Sequence, residues 1–223
     1  MNSPIEQNLI PLTVEEFFAI YGEENERYEL IDGIPYMMAA PGTVHQELSM
    51  FLSIEISGYL KGKKCKLFVA PYDVFLKESP TDESGKPKKN KRVKGTVVQP
   101  DLMVICDKEK IKHNGCHGAP DFIIEIASLS TREMDKGYKM RKYASTGVKE
   151  YWLVDPAEEK ISVYKFKQKG KKAEVADFTF KDKVKSHVLE GLEIDFSQAG
   201  FDFDEFHEFG IEAYKNKRRY KKL

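Results

Sequence analysis

Two carboxylates and one amine stand where a chain seldom places charge. Glu125 interrupts Phe122-Ile-Ile-Glu-Ile126, a run whose strand should be apolar on both faces. Asp101 follows Pro100 inside VVQPDLMVI, another apolar run. A buried carboxylate is costly unless it is paired, protonated or bound to a metal. If the two strands are neighbours, the carboxylates meet on one sheet face, repel each other and call for a cation. Mg²⁺ prefers hard oxygen ligands of this kind. Lys139 lies on the helix expected after strand 121–127, which packs back over the sheet and can bring the ammonium to the same pocket. Two carboxylates, a divalent ion and a lysine can hydrolyse a phosphodiester. The same three residues can equally form a structural ion pair, and taken alone they leave both readings open.

The elements that must position these residues follow from local patterns. Thr13-Val-Glu-Glu16 is a capping box, opening a short helix to about Tyr21 with Phe17, Phe18 and Ile20 to bury. Asp32-Gly33 between RYELI and IPYMMA predicts a type I′ hairpin, ended by Pro41-Gly42. From Val44 to Leu60 the apolar residues Leu48, Phe51, Leu52, Ile56, Tyr59 and Leu60 follow helical spacing. KLFVA (66–70) and DVFL (73–76) read as strands around Pro71, and 96–105 as one strand interrupted by Pro100. In 121–127, Phe122, Ile124 and Ile126 face one way, and Ile123, Glu125 and Ala127 the other. Ser130 or Thr131 caps a helix to about Ser145, with Gly147 as its C′ residue. Strands at 150–155 and 160–166 follow, joined by Asp155-Pro156. The order predicts an α/β or α+β fold around one mixed sheet, a single domain over 1–202 and a basic helical or flexible tail over 203–223.

Composition narrows the class. The chain has 223 residues, 41% hydrophobic and 32% charged, with 14 Phe and 11 Tyr to fill a core. That argues against a disordered chain. No run approaches the ~18 apolar residues of a membrane span. MNSPIEQNLI has neither a basic region nor a long apolar run, which points away from a secretory signal. Cys65, Cys106 and Cys116 are odd in number and lack CxxC spacing; they read as reduced thiols of a cytoplasmic protein. The 36 basic and 36 acidic residues cancel, but unevenly. Residues 1–60 hold only Arg27 against ten acidic residues, so the positive excess lies beyond them. It gathers in Lys86, Lys88, Lys89, Lys91, Arg92 and Lys94, and again in Lys215, Lys217, Arg218, Arg219, Lys221 and Lys222. Such clusters can contact phosphates through a sequence-independent electrostatic attraction, or simply be solvated.

Spaced motifs then carry a resemblance. They are Pro100-Asp101, Glu125 through Thr131, Asp135-Lys-Gly-Tyr-Lys139, and Tyr143 through Gly147 to Asp155-Pro156. Tyr28-Glu29-Leu-Ile-Asp32-Gly33, His45, Val184 to Ser186 and Gly191-Leu192 add to them. Together they resemble the Uma family of restriction endonucleases, a domain of unknown function within the PD-(D/E)XK nuclease superfamily, over roughly residues 13–200. The resemblance implies a restriction-endonuclease-like mixed sheet flanked by helices, with an N-terminal hairpin. It makes Asp101 and Glu125 the metal-binding acids, for Mg²⁺ or Mn²⁺. The superfamily lysine should stand two residues after Glu125, where Ala127 is found; Lys139 takes its place. Leu129 stands where the family usually has proline. Glu29 and His45 come along as further catalytic candidates. A DNA substrate and a homodimer are also implied.

Other readings have less behind them. Cys106, His113, Cys116 and His117 match no zinc-finger spacing. Asp121, in a second Pro-Asp pair, is too close to Glu125 to supply a separate ligand. No glycine-rich phosphate loop or GxSxG elbow is present. The expectation is a metal-dependent deoxyribonuclease; the alternative is a catalytically silent nucleic-acid-binding or regulatory module on the same scaffold.

Overall fold

The computed structural model describes residues 10–22, 26–76, 94–128, 130–167 and 173–200. Of the basic clusters only Lys94 falls within them; Lys86, Lys88, Lys89, Lys91, Arg92, the 203–223 tail and Leu129 lie outside the described residues.

The capping box forms: Thr13 Oγ1 accepts the Glu16 N–H at 3.2 Å, and Glu16 Oε2 accepts the Thr13 N–H at 2.8 Å. Helix α1 spans Val14–Tyr21. A two-turn helix buries one stripe, here Phe17 with Tyr21 four residues on, ring centroids 5.6 Å apart. Phe17 is buried, but Phe18 and Ile20 fall off that stripe and are exposed, contrary to expectation. Strands β1 (Tyr28–Ile31) and β2 (Ile34–Met37) pair antiparallel. Asp32 and Gly33 both adopt positive φ, 54° and 80°, as a type I′ turn requires. Helix α2, Thr43–Leu60, buries Leu48, Leu52, Ile56 and Leu60.

The remaining strands are β3 (Lys66–Val69), β4 (Val74–Phe75), β5 (Val97–Val98), β6 (Leu102–Ile105), β7 (Ile111–Lys112), β8 (Gly115–His117), β9 (Phe122–Ile126), β10 (Glu150–Asp155), β11 (Lys160–Lys165), β12 (Glu174–Thr179), β13 (Lys183–Lys185) and β14 (Glu193–Asp195). The class is α/β, but the described strands make two six-stranded sheets and a small β13-β14 pair rather than one sheet. The first sheet has the order β2-β1-β5-β4-β8-β7, the second β12-β11-β10-β9-β6-β3. Both are mixed: β9 and β10 run parallel, as do β4 and β8. The chain passes between these two sheets five times: between β2 and β3, β3 and β4, β5 and β6, β6 and β7, and β8 and β9. Pro100 stands at the crossing from β5 to β6, where its lack of an N–H to donate breaks the ladder.

Helix α2 covers one face of the second sheet, packing with Leu102, Val104, Phe122, Ile124, Ile126 and Trp152. Trp152, at 0% exposure, is thus core. Met103, Ile105, Ile123, Tyr151 and Leu153 point the other way, into a second cluster with Val74 and Val98 of the first sheet. Over this face lies helix α3, built from Arg132–Met134, a π-helical turn at Asp135–Lys139 and Met140–Thr146. Gly147 ends it in the left-handed region, φ 108°. Thr131 is its N-cap residue, as expected, but the Thr131 side chain accepts no helix N–H. Ser128 fixes the turn before the helix: its Oγ accepts the N–H groups of Ser130 and Thr131 at 3.3 and 3.2 Å, and Thr131 Oγ1 accepts the Ser128 N–H at 3.1 Å.

The thiol reading is corrected. Cys65 and Cys106 form a disulfide, leaving Cys116 as the buried free thiol. β3 pairs with β6 so that Lys66 lies opposite Ile105, which sets the residues just outside that pair face to face. The inference of a reducing compartment loses that support. No helix among the described residues is long and apolar enough to cross a membrane.

Candidate active site

The β6–β9 pairing places Leu102 opposite Ile124, so Asp101 and Glu125 meet one step further along. Asp101 sits at the corner where the chain passes from the first sheet to the second. Its N–H, released from the ladder, donates to Glu125 Oε2 at 3.3 Å. Asp101 Oδ2 in turn accepts the Ile126 N–H at 2.7 Å. The Gln99 N–H, on the other side of Pro100, donates to Glu29 Oε1 at 2.7 Å. A proline-broken strand thus supplies two free amides to two acids.

The π-helical turn carries Lys139 into the same space. Its Nζ lies 2.9 Å from both Glu29 oxygens, 3.1 Å from Glu125 Oε1 and 3.8 Å from Asp135 Oδ1. π-turns inside α-helices are frequent at functional sites. Tyr143, one turn on, donates to Glu125 Oε1 at 2.6 Å. His45, in the first turn of α2, brings Nε2 to 3.1 Å from Asp101 Oδ2, while its buried Nδ1 has no partner. All five site residues read from the sequence, Glu29, His45, Asp101, Glu125 and Lys139, therefore converge. The Glu125 and Lys139 side chains are 4% and 6% exposed, those of Asp101 and His45 15% and 19%. The cluster opens to solvent along its Asp101–His45 edge.

In the sequence, Asp135 and Tyr143 stand only as motif residues, with no role in the site, and nothing points to Gln99 or Asp73. Asp135, Lys139 and Tyr143 are spaced by four, one helix face, and that periodicity was the available signal. Gln99 and Asp73, joined by a 2.8 Å bond from Gln99 Nε2 to Asp73 Oδ1, have no such local signature. Asp121 is engaged elsewhere, accepting from the Cys106 N–H at 2.8 Å and Lys149 at 2.6 Å.

Charge in the cluster is unbalanced: Lys139 faces Glu29, Glu125 and Asp135, and Asp101 adjoins Glu125. Burial pushes the Glu125 carboxyl well above its usual range; Lys139 opposes this, while Asp101, Asp135 and Glu29 add to it. Burial raises Asp135 to about 6, with Lys139 and a Thr131 hydrogen bond pulling back. Burial also works against the Lys139 ammonium, but Glu125, Glu29 and Asp135 hold its pKa well above normal. The lysine stays charged, and the surplus is negative.

That surplus fits a divalent cation. Among the described residues no group of three or more His, Cys, Asp or Glu forms a metal cage. Mg²⁺ needs none, since it commonly takes one or two carboxylates and completes its shell with water and substrate phosphate. Both Glu29 oxygens and Glu125 Oε1 already accept hydrogen bonds from cation, phenol or amide. Of the Asp101 and Glu125 oxygens, Asp101 Oδ1 and Glu125 Oε2 are the least claimed and are the ones that could hold the ion.

A model of the Uma2 family, described as "Putative restriction endonuclease", matches residues 14–197. The uncharacterized protein slr1290 of Synechocystis sp. is 25% identical over 154 residues, covering 69% of this chain and 73% of the other. The crystal structure of "a putative nuclease belonging to DUF820" from Anabaena variabilis matches with a TM-score of 0.63. It is 20% identical, over 85% of this chain and 97% of that one, a likeness of fold.

Proposed function

The chain belongs to the Uma2 family, and from that premise we propose that it is a metal-dependent nuclease that hydrolyses phosphodiester bonds in DNA. The observation that carries the reading is the meeting of Asp101, Glu125 and Lys139 in one cluster with more negative than positive charge. Asp101 and Glu125 would hold Mg²⁺ or Mn²⁺. Such an ion supplies polarisation of the scissile phosphate and acidification of a water molecule.

The protein's own groups set the stage for that chemistry. The Ile126 and Asp101 amides fix the two carboxylates against each other. Glu29 holds Lys139, and Lys139 holds Glu125 while keeping a positive charge beside the place where negative charge develops on the phosphate. His45, at the open edge, orients Asp101. The basic residues Lys86, Lys88, Lys89, Lys91, Arg92 and Lys94 would contact phosphates of the nucleic acid. A cytoplasmic homodimer belongs to the same proposal.

The test is a plasmid-nicking assay in Mg²⁺ and Mn²⁺, run beside a gel shift. The wild type nicks, and Asp101→Asn and Glu125→Gln do not, while both still retain DNA. Metal-dependent nicking that survives in both variants would overturn the site. DNA retention without nicking in any metal would favour a silent binding module instead.

A further inference from the structure

We infer that Tyr143 is a positioning residue that decides which oxygen of Glu125 is free to hold the cation. This rests on the metal-dependent reading above. Tyr143 is fully buried, and its hydroxyl donates to Glu125 Oε1 at 2.6 Å. Lys139 claims the same oxygen at 3.1 Å. Oε2 is left with one long contact, the 3.3 Å Asp101 amide, and so faces Asp101 rather than the helix. Without the phenol, Oε1 would be held by Lys139 alone and Oε2 by the long Asp101 amide contact; the phenol gives Oε1 its shortest donor and pins it on the helix side. The ring is locked too, packed edge-on against Tyr151 with centroids 5.2 Å apart. Tyr151 has its own hydroxyl committed to the Asp135 carbonyl at 3.3 Å, so it does not substitute for Tyr143. Partners of metal ligands that sit behind them commonly change metal affinity or activity by about 10- to 100-fold when removed.

The experiment compares full-length wild type, Tyr143→Phe and Tyr151→Phe by calorimetric Mn²⁺ titration and by nicking kinetics across Mn²⁺ concentrations. Tyr143→Phe keeps the ring and removes the donor. Its Mn²⁺ dissociation constant is expected to rise about 10-fold or more. The Mn²⁺ needed for half-maximal nicking should rise in step, with KM for DNA unchanged. Tyr151→Phe, which removes an equally buried hydroxyl, should bind Mn²⁺ like the wild type. Wild-type Mn²⁺ affinity in Tyr143→Phe would overturn the inference alone. A wild type that binds no Mn²⁺ would sink the metal reading and the inference with it. If Tyr143→Phe does not fold by circular dichroism, the ¹³Cζ resonance of Tyr143 in tyrosine-labelled wild type carries the test. It should shift on Mg²⁺ addition, and a resonance that stays put would overturn the inference.

Discussion

Lys139 and Glu29 are 110 residues apart in the chain, yet Nζ and the carboxylate are 2.9 Å apart and both are buried. The pair ties α3 to the hairpin of the first sheet, while Glu125 ties the same ammonium to the second. Removing the lysine strands three buried acids. Lys139→Met should lower stability by about 3–5 kcal/mol at neutral pH, the usual cost of breaking a buried pair. Lys139 holds the raised Glu125 and Asp135 carboxyls down; without it these two bind protons more tightly when folded, so the variant should recover stability as pH falls from 7 to 5. Urea midpoints at the two pH values read this. A Lys139→Met protein as stable as wild type at pH 7 would show that the pair contributes little to folding.

Asp135 gives a separate pH signature. Its folded pKa, about 6, lies above its ordinary value of 3.8. The folded state therefore binds this proton more tightly than the unfolded state. The resulting stability is fully present below about pH 4 and is lost as pH rises through about 6. At 1.36 kcal/mol per unit, its size is at most about 3 kcal/mol. Asp135→Asn removes the titration, so the variant should gain on the wild type between pH 4.5 and 7.5. An equal stability difference at both pH values would contradict the assignment.

The Cys65–Cys106 bridge closes a separation of 41 residues and fastens the edge strand β3 to β6. A loop of that size restricts the unfolded chain enough to stabilise by about 2–4 kcal/mol. Dithiothreitol should lower the urea midpoint of the wild type and leave Cys65→Ser/Cys106→Ser unchanged. Without reductant, denatured wild type should take up one equivalent of alkylating agent, at Cys116. Three equivalents would mean that the bridge is absent in solution.

Local sequence determined what local forces decide. Thr13 and Glu16 made their cap because both partners lie within one helical turn. Asp32-Gly33 made its turn because few residue pairs tolerate two positive φ values. Strand alternation put Glu125 on the same face as Ile123, the apolar run around Asp101 and the helix after strand 121–127 pointed to Asp101 and Lys139, and the family motifs added Glu29 and His45. Only the tertiary structure decided that 96–105 is two strands in two sheets, because a break at Pro100 looks the same locally whether the strand resumes or departs. Only it decided that Cys65 faces Cys106, a matter of β3–β6 register. And only it turned Tyr143 and the amides of Gln99 and Asp101 onto the acids. Those contacts form where β1, the β5–β6 corner, β9 and α3 close on one point, and no single segment's pattern contains that point.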